Sequence, residues 1–423
     1  MTSRTYQEET KSTQKDNRRR LWLVFFFAGA VLTPALRFGS LPGLRVEQGV
    51  LLVWWAAAGI GWLLQQKPKV RIPFQAVMLA GFGLIVLLSM FFGYRAGVPL
   101  VLADVYEMGR LGIYALMLMM GSTLMSTQQD KDAALSVLSF CLMIGAFIAL
   151  SQHGDPLGIN ASYLPYTAPT QYEALMPGYP WPRVVGMTTN PNLYAYLAGI
   201  GAVLGAMLFV EKKRGWYLLS AGLCFATLWL TRSRTGLIFW LVLAALVWVF
   251  FLYAYAKEKK AAMMYIGGGA LLGGLLLLGG VFLLLRWLPQ DMTWRFWELF
   301  DLGASRSWQL RLTAWRQLLS GLNDQLIFGI GPSKGVELGI FVDNEWLLLI
   351  KRYGLVGLFS FMAVFSLPAL QSRPRYPRST AVLLYRALLI ATGVFMMATT
   401  PFHSYQIMSV VMMLIAAGLS DPR

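Results

Sequence analysis

Arg18-Arg19-Arg20-Leu21-Trp22-Leu23-Val24-Phe25-Phe26-Phe27-Ala28-Gly29-Ala30-Val31-Leu32 is the stretch whose reading sets the fold class. Three cations are followed by an apolar run with no charge before Arg37. A helix crossing the hydrocarbon core of a bilayer needs about 20 apolar residues. A basic cluster at one end marks the cytoplasmic side. The same pattern recurs down the chain, giving twelve predicted spans near 21–38, 48–66, 74–93, 109–126, 133–152, 191–210, 215–231, 236–256, 264–285, 345–369, 380–400 and 406–420. Composition agrees: of 423 residues, 57% are hydrophobic and 13% charged, against roughly 45–50% and 25% in soluble domains. A soluble enzyme, a secreted disulfide scaffold and a disordered chain are excluded. The expected fold is all-α, a polytopic membrane protein of about twelve transmembrane helices.

Residues 1–20 read as a cytoplasmic tail rather than a cleavable signal, and 21–423 as one transmembrane domain. The loops expected on one side carry Arg18-Arg19-Arg20, Lys67-Pro68-Lys69-Val70-Arg71, Lys212-Lys213-Arg214, Lys257-Glu258-Lys259-Lys260 and Arg373-Pro374-Arg375. That side is read as cytoplasmic, with both termini on it. The net charge of +16 is therefore mainly a topology signal, and nucleic acid is not an expected partner. On the other side Lys334 and Lys351 are the only lysines, while arginines abound. Arginine's planar fork suits phosphate and carboxylate and is cheaper to desolvate than an ammonium, which points to anion recognition there.

Cys141 and Cys224 lie inside apolar runs and read as buried thiols. His153 and His403 are too few for a metal site by themselves. Asp130-Lys131-Asp132 resembles a carboxylate pair of metal-dependent transferases, but its place in a short cytoplasmic loop predicts a solvated charge run. Two loops on the outer side are long, about 153–190 and 286–343, and long loops are usually functional or disordered. Both are rich in aromatics, Arg and Pro. The second contains Trp294-Arg295-Phe296-Trp297-Glu298-Leu299-Phe300, suited to an interface, and an amphipathic run from Ser307 to Leu319.

Four outer-side elements carry candidate chemistry. In Arg183-Val184-Val185-Gly186-Met187-Thr188-Thr189-Asn190-Pro191-Asn192, Asn190 is expected to cap a helix that Pro191 begins, leaving free N–H groups beside Arg183. Thr231-Arg232-Ser233-Arg234-Thr235-Gly236 puts two arginines at the membrane boundary, against the positive-inside trend. In the segment Ser305–Arg316, Arg311 and Trp315 are spaced i, i+4 on one helical face. Phe341-Val342-Asp343-Asn344-Glu345-Trp346-Leu347, followed by Gly354 and Gly357, places Asp343 at the mouth of a span, as a helix cap, a general base or both.

In order and sidedness these elements resemble the O-antigen ligase and O-antigen polymerase (Wzy-type) superfamily of bacterial membrane glycosyltransferases. The resemblance covers Arg183 to Gly357 and includes Ser233-Arg234-Thr235 and Phe328-Gly329-Ile330-Gly331-Pro332. It implies a GT-C-type fold in the bacterial inner membrane, with glycan moved at the periplasmic face from an undecaprenyl-diphosphate carrier, without metal or other cofactor. Arg183, Arg234 and Arg311 would clamp the diphosphate, with Arg306 in reserve. Asn190, Asn192, Trp315 and Asn344 would bind substrate, and Asp343 would activate the acceptor hydroxyl. The implied partners are a lipid-linked glycan donor, a glycan acceptor, membrane lipids and a chain-length regulator. Lipid A-core ligases typically carry histidine where this chain has Asp343, so polymerase is the primary reading and ligase the alternative. A lipid-linked glycan transporter is the third reading. It is disfavoured because no half-to-half repeat is visible and the arginines lie near the outer boundary, not the midplane.

Overall fold

The computed structural model describes residues 3–35, 43–64, 69–176, 182–259, 305–321, 325–333, 343–371 and 379–419, with isolated positions between 273 and 303. Side chains at 3–16, 256–259, 306 and 371 are outside the description. The predicted span at 264–285 lies outside the described residues at all but isolated positions, as do Trp294, Arg295, Leu299 and Phe300 of the predicted interfacial segment.

Every regular element among the described residues is helical. In chain order they are α1 Ser3–Leu32, α2 Val46–Leu63, α3 Phe74–Arg95, α4 Leu102–Leu124, α5 Gln128–Gln152, α6 Asn160–Thr167, α7 Pro169–Leu175, α8 Pro191–Lys212, α9 Gly215–Leu230, α10 Arg234–Lys259, α11 Arg306–Ser320, α12 Glu345–Gln371, α13 Thr380–Phe395 and α14 Tyr405–Leu419, with a 3-10 turn at Pro401–His403. Each predicted span outside 264–285 falls on one of these helices. Six of them, α2, α3, α5, α8, α10 and α12, are long and apolar enough to cross a membrane, and α9, α13 and α14 are shorter apolar helices. The outward faces are apolar: Leu52, Leu84 and Phe359 are 65%, 64% and 63% exposed. In water such a surface would aggregate, whereas in lipid it costs nothing. The protein is a helical, membrane-embedded one.

α14 is the centre of the bundle. Every residue from Gln406 to Gly418 is buried, with α4 and α13 packed along it. A helix apolar all round belongs inside. α8 and α9 form a hairpin turning through Lys213 in the left-handed region, φ 55°, and pack against α5.

The two ends of the bundle differ in chemistry. At one end Lys212 Nζ donates to Asp132 O (3.2 Å) and Ser136 Oγ (2.8 Å), and Thr380 Oγ1 donates to Glu211 Oε2 (2.6 Å). Asp130 and Lys131 belong here, and the expected solvated run is a correction: both are buried. Asp130 forms a reciprocal capping box with Thr127 at 3.1 Å in each direction and pairs with Arg19 at 3.2 Å. Capping satisfies otherwise orphaned N–H groups, so the carboxylate is drawn into the helix start. The opposite end gathers the singled-out arginines.

Two boundaries differ from expectation in ways that matter. α4 starts at Leu102 rather than near 109, so Glu107 lies inside the helix with Arg110, not ahead of it. α12 is interrupted at Gly354, with φ 66° and ψ −170°, a conformation that an L-residue rarely adopts. The break frees backbone groups that lipid could not satisfy. Residues 326–331 satisfy them instead. Leu355 N and Val356 N donate to Leu326 O (2.9 Å) and Ile327 O (3.2 Å), while Ile330 N and Gly331 N donate to Lys351 O (3.2 Å) and Arg352 O (2.8 Å). The Phe328–Pro332 motif is a backbone clasp on a broken helix.

Candidate active site

The first part of the site is built on helix ends. Asn190 caps α8, its Oδ1 accepting from Asn192 N at 2.8 Å, with Pro191 in the first turn. Asn192 sits on the same turn, and its Oδ1 accepts from Arg183 Nη2 (3.1 Å) and Ser233 Oγ (2.8 Å). Arg183 Nε donates to Thr231 O at 2.8 Å. The guanidinium is thus held on two edges by fixed acceptors. Ser233 closes the α9–α10 turn by also accepting from Gly236 N at 3.0 Å, the geometry of a helix N-cap. The Ser-Arg-Thr-Gly motif is a cap whose hydroxyl proton binds Asn192. Arg232 of that turn is buried in the left-handed region, φ 51°.

The segment that presents Arg183 is held from beneath by Gln152, the fully buried last residue of α5. Its Oε1 accepts from Val185 N and Gly186 N, both at 2.9 Å, and its Nε2 donates to Gly186 O at 2.8 Å. Tyr163 of α6 donates to the same carbonyl at 2.8 Å and touches the Gln152 amide. Burial pushes the Tyr163 phenol up to about 12, so it stays a donor.

The second part joins the later loop. Arg234, first residue of α10, donates to Ser305 Oγ (3.1 Å) and Ser307 Oγ (2.7 Å) and pairs with Glu298 at 2.8 Å. One turn along α11, about 6 Å, Arg311 Nη2 pairs with Asp343 Oδ2 at 3.1 Å. The two side chains are 20% and 31% exposed, open enough for a ligand to compete for either. Asp343 is not the cap of α12. That role belongs to buried Asn344, whose Oδ1 accepts from Leu347 N at 3.1 Å, so the carboxylate one residue earlier is left to Arg311.

Six of the nine candidate residues, Asn190, Asn192, Arg183, Arg234, Arg311 and Asp343, therefore lie along one end of the bundle in three contact sets, joined by the Ser233-Arg234 step and by one turn of α11. Two do not join this array: Asn344, expected to bind substrate, is buried and used up as the α12 cap, and Trp315 lies apart. Trp315 packs on Leu318 in the α11–α12 seam and meets Trp308 edge-on at 5.5 Å. Arg306 opens α11, and its side chain lies outside the described residues. Cys141 and Cys224 are buried free thiols, as read from the sequence.

Beside this array lies a buried ionic network that the sequence reading missed. Glu107 and Arg110 of α4 pair at 2.9 Å, Arg352 of α12 approaches Glu107 at 3.6 Å, and His403 Nδ1 lies 2.7 Å from Glu345 Oε1. Phe402 N donates to the other Glu345 oxygen at 3.1 Å. Charged residues inside apolar helices were the available signal. Next to the network, an apolar cavity of about 580 Å³ opens between α12, α13 and α14, lined by Trp346, Phe361, Phe365, Leu389, Met396 and Phe402 among others.

Compared with protein-family models and with curated proteins, the sequence matches none.

Proposed function

We propose that this chain is a glycosyltransferase of the bacterial cytoplasmic membrane, with twelve spans in a GT-C-type arrangement, both termini in the cytoplasm and a periplasmic reaction site. It polymerises undecaprenyl-diphosphate-linked oligosaccharide repeat units. The observation that carries this reading is the convergence of Arg183, Arg234 and Arg311 with Asp343 on one end of the bundle. These come from four separated segments that also bear the family-like motifs. The adjoining apolar cavity, with aromatic and aliphatic walls, is compatible with a hydrocarbon-bearing substrate.

The transfer runs as a single displacement. The acceptor hydroxyl oxygen bonds to the anomeric carbon as the bond from that carbon to the diphosphate oxygen breaks. The bonding pair leaves with the diphosphate, and the configuration inverts. Arg183, locked by Thr231 O and Asn192 Oδ1, supplies fixed positive charge to the leaving group, and Arg234 adds its own on exchanging Glu298 for phosphate. Preorganised donors of this sort are worth about 2.7–4 kcal/mol of barrier each. Arg311 exchanges its Asp343 partner for a phosphate oxygen. That exchange uncovers the Asp343 carboxylate, which accepts the hydroxyl proton. Substrate binding thereby generates the base that it needs.

The test is turnover by the purified full chain supplied with undecaprenyl-diphosphate repeat units from the cells of origin, products resolved by length. A ladder made by wild type and lost in Arg311→Ala and Asp343→Ala supports polymerisation. Single transfer appearing only with lipid A-core or a protein acceptor makes the protein a ligase. Movement of carrier-linked glycan across a bilayer with neither product overturns the enzyme reading.

A further inference from the structure

His403 is one of two histidines in the chain and lies on the short 3-10 turn between α13 and α14. Its surroundings are unusually charged for the inside of an apolar bundle. From α4 come Glu107, Arg110 and Tyr114, from α12 Glu345, Arg352 and Tyr353, and from α14 Tyr405. The side chains of Glu107 and Glu345 are 3% and 0% exposed, those of Arg352 and His403 14% and 17%. Removing such ions from water costs several kcal/mol each unless they are paired. With both carboxylates ionised, they cancel the two guanidiniums, and the network is neutral while the imidazole is neutral.

The contacts favour one imidazole tautomer. Arg352 Nη1 touches His403 Nε2, and a guanidinium only donates. Nε2 therefore offers its lone pair, and the ring hydrogen is on Nδ1, facing Glu345 at 2.7 Å. Beyond Nε2 a second carboxylate waits, with Glu107 Oε1 at 3.7 Å from His403 and 3.6 Å from Arg352. One more proton has a defined place to go.

We propose that His403 is a proton-binding site built into the bundle, with Glu107 and Glu345 as its carboxylate partners and Arg352 as the group a proton displaces. A proton taken from water bonds to the Nε2 lone pair. The Arg352 guanidinium leaves Nε2 for Glu107, which it already approaches, and the imidazolium bridges Glu345 and Glu107. Added charge is thus accommodated by a short move of Arg352 on α12, the helix whose first turn follows Asp343. The imidazole is 17% exposed, against 0% for Glu345, so it is the more accessible of the two. The site is independent of the transfer chemistry proposed above.

The experiment is ¹⁵N NMR of the full chain in lipid nanodiscs with ¹⁵N-histidine, using His153→Asn so that His403 gives the only imidazole signals. At pH 8 the expected pattern is a protonated Nδ1 and a bare Nε2, converting to a doubly protonated ring on acidification. At the pH of half conversion, Glu107→Gln should cut the protonated fraction at least about fourfold, since it removes an adjacent opposite charge. Arg352→Gln should raise that fraction, because the competing cation is gone. A ring protonated on Nε2 at pH 8, or a conversion unmoved by Glu107→Gln, overturns the proposal. Should either variant fail to fold, the tautomer and conversion in the His153→Asn protein alone decide it. Loss of glycan transfer has no bearing on these signals.

Discussion

Gln152→Ala is the substitution whose effect follows most directly from the geometry. The Gln152 amide makes three hydrogen bonds to the backbone of Val185 and Gly186 from a fully buried position. Truncation does not orphan Gly186 O, which keeps the Tyr163 hydroxyl at 2.8 Å. It does leave two buried N–H groups, on Val185 and Gly186, without their acceptor. Each costs about 1–3 kcal/mol if nothing replaces it. The void left by the side chain admits water, so only the bottom of the range applies, about 2–3 kcal/mol for the pair. That loss falls on local opening of the segment carrying Arg183, because the helices beneath it keep their packing. Amide exchange over 182–190 should therefore speed up about 30- to 150-fold, with exchange in α14 unchanged. Gln152→Glu retains the acceptor for both N–H groups but sets a carboxylate against Gly186 O, so its effect should be intermediate. Exchange across 184–186 that matches wild type in Gln152→Ala would refute the assignment of Gln152 as the holder of this strap.

Three further outcomes follow from named contacts. Asn192→Ala removes the acceptor shared by Arg183 and Ser233 and should lower glycan transfer about tenfold or more. Asn192→Asp, which still accepts from both, should retain more activity than the alanine variant in the same assay. Gly354→Ala forces a Cβ to 2.1 Å from Ile327 O at a positive φ. It should cost more than about 3 kcal/mol, seen as a large fall in the thermal transition of the detergent-solubilised protein. Asp343→Asn should separate stability from activity. A partly exposed ion pair is worth about 0–1 kcal/mol, so the melting temperature should barely move while turnover drops about a hundredfold. A large loss of stability would instead make Asp343 a structural residue.

How much was readable in advance depends on how local the signal is. The helices were legible because a run of about 20 apolar residues is a property of one segment. Caps were partly legible for the same reason. Asn190 and Pro191 start α8 as expected, whereas at α12 the cap fell on Asn344 rather than Asp343. That one-residue difference decides whether the Asp343 carboxylate belongs to a helix end or to Arg311. Asp130 misled because a charge run in a short loop reads as solvated, and its partner Arg19 is 111 positions away.

By itself the sequence determined that this is an all-helical, membrane-embedded chain, where most helices lie, and which arginines merited attention. Hydropathy and capping act over one or two turns, so they survive without the rest of the molecule. Tertiary structure decided the partners. Arg183 reaches Thr231 across 48 residues and Arg234 reaches Ser305 across 71. Glu107, Glu345 and His403 meet because α4, α12 and the turn before α14 converge. Such contacts depend on how helices pack side by side, and packing is set by shape across the whole bundle rather than by any stretch that can be read alone.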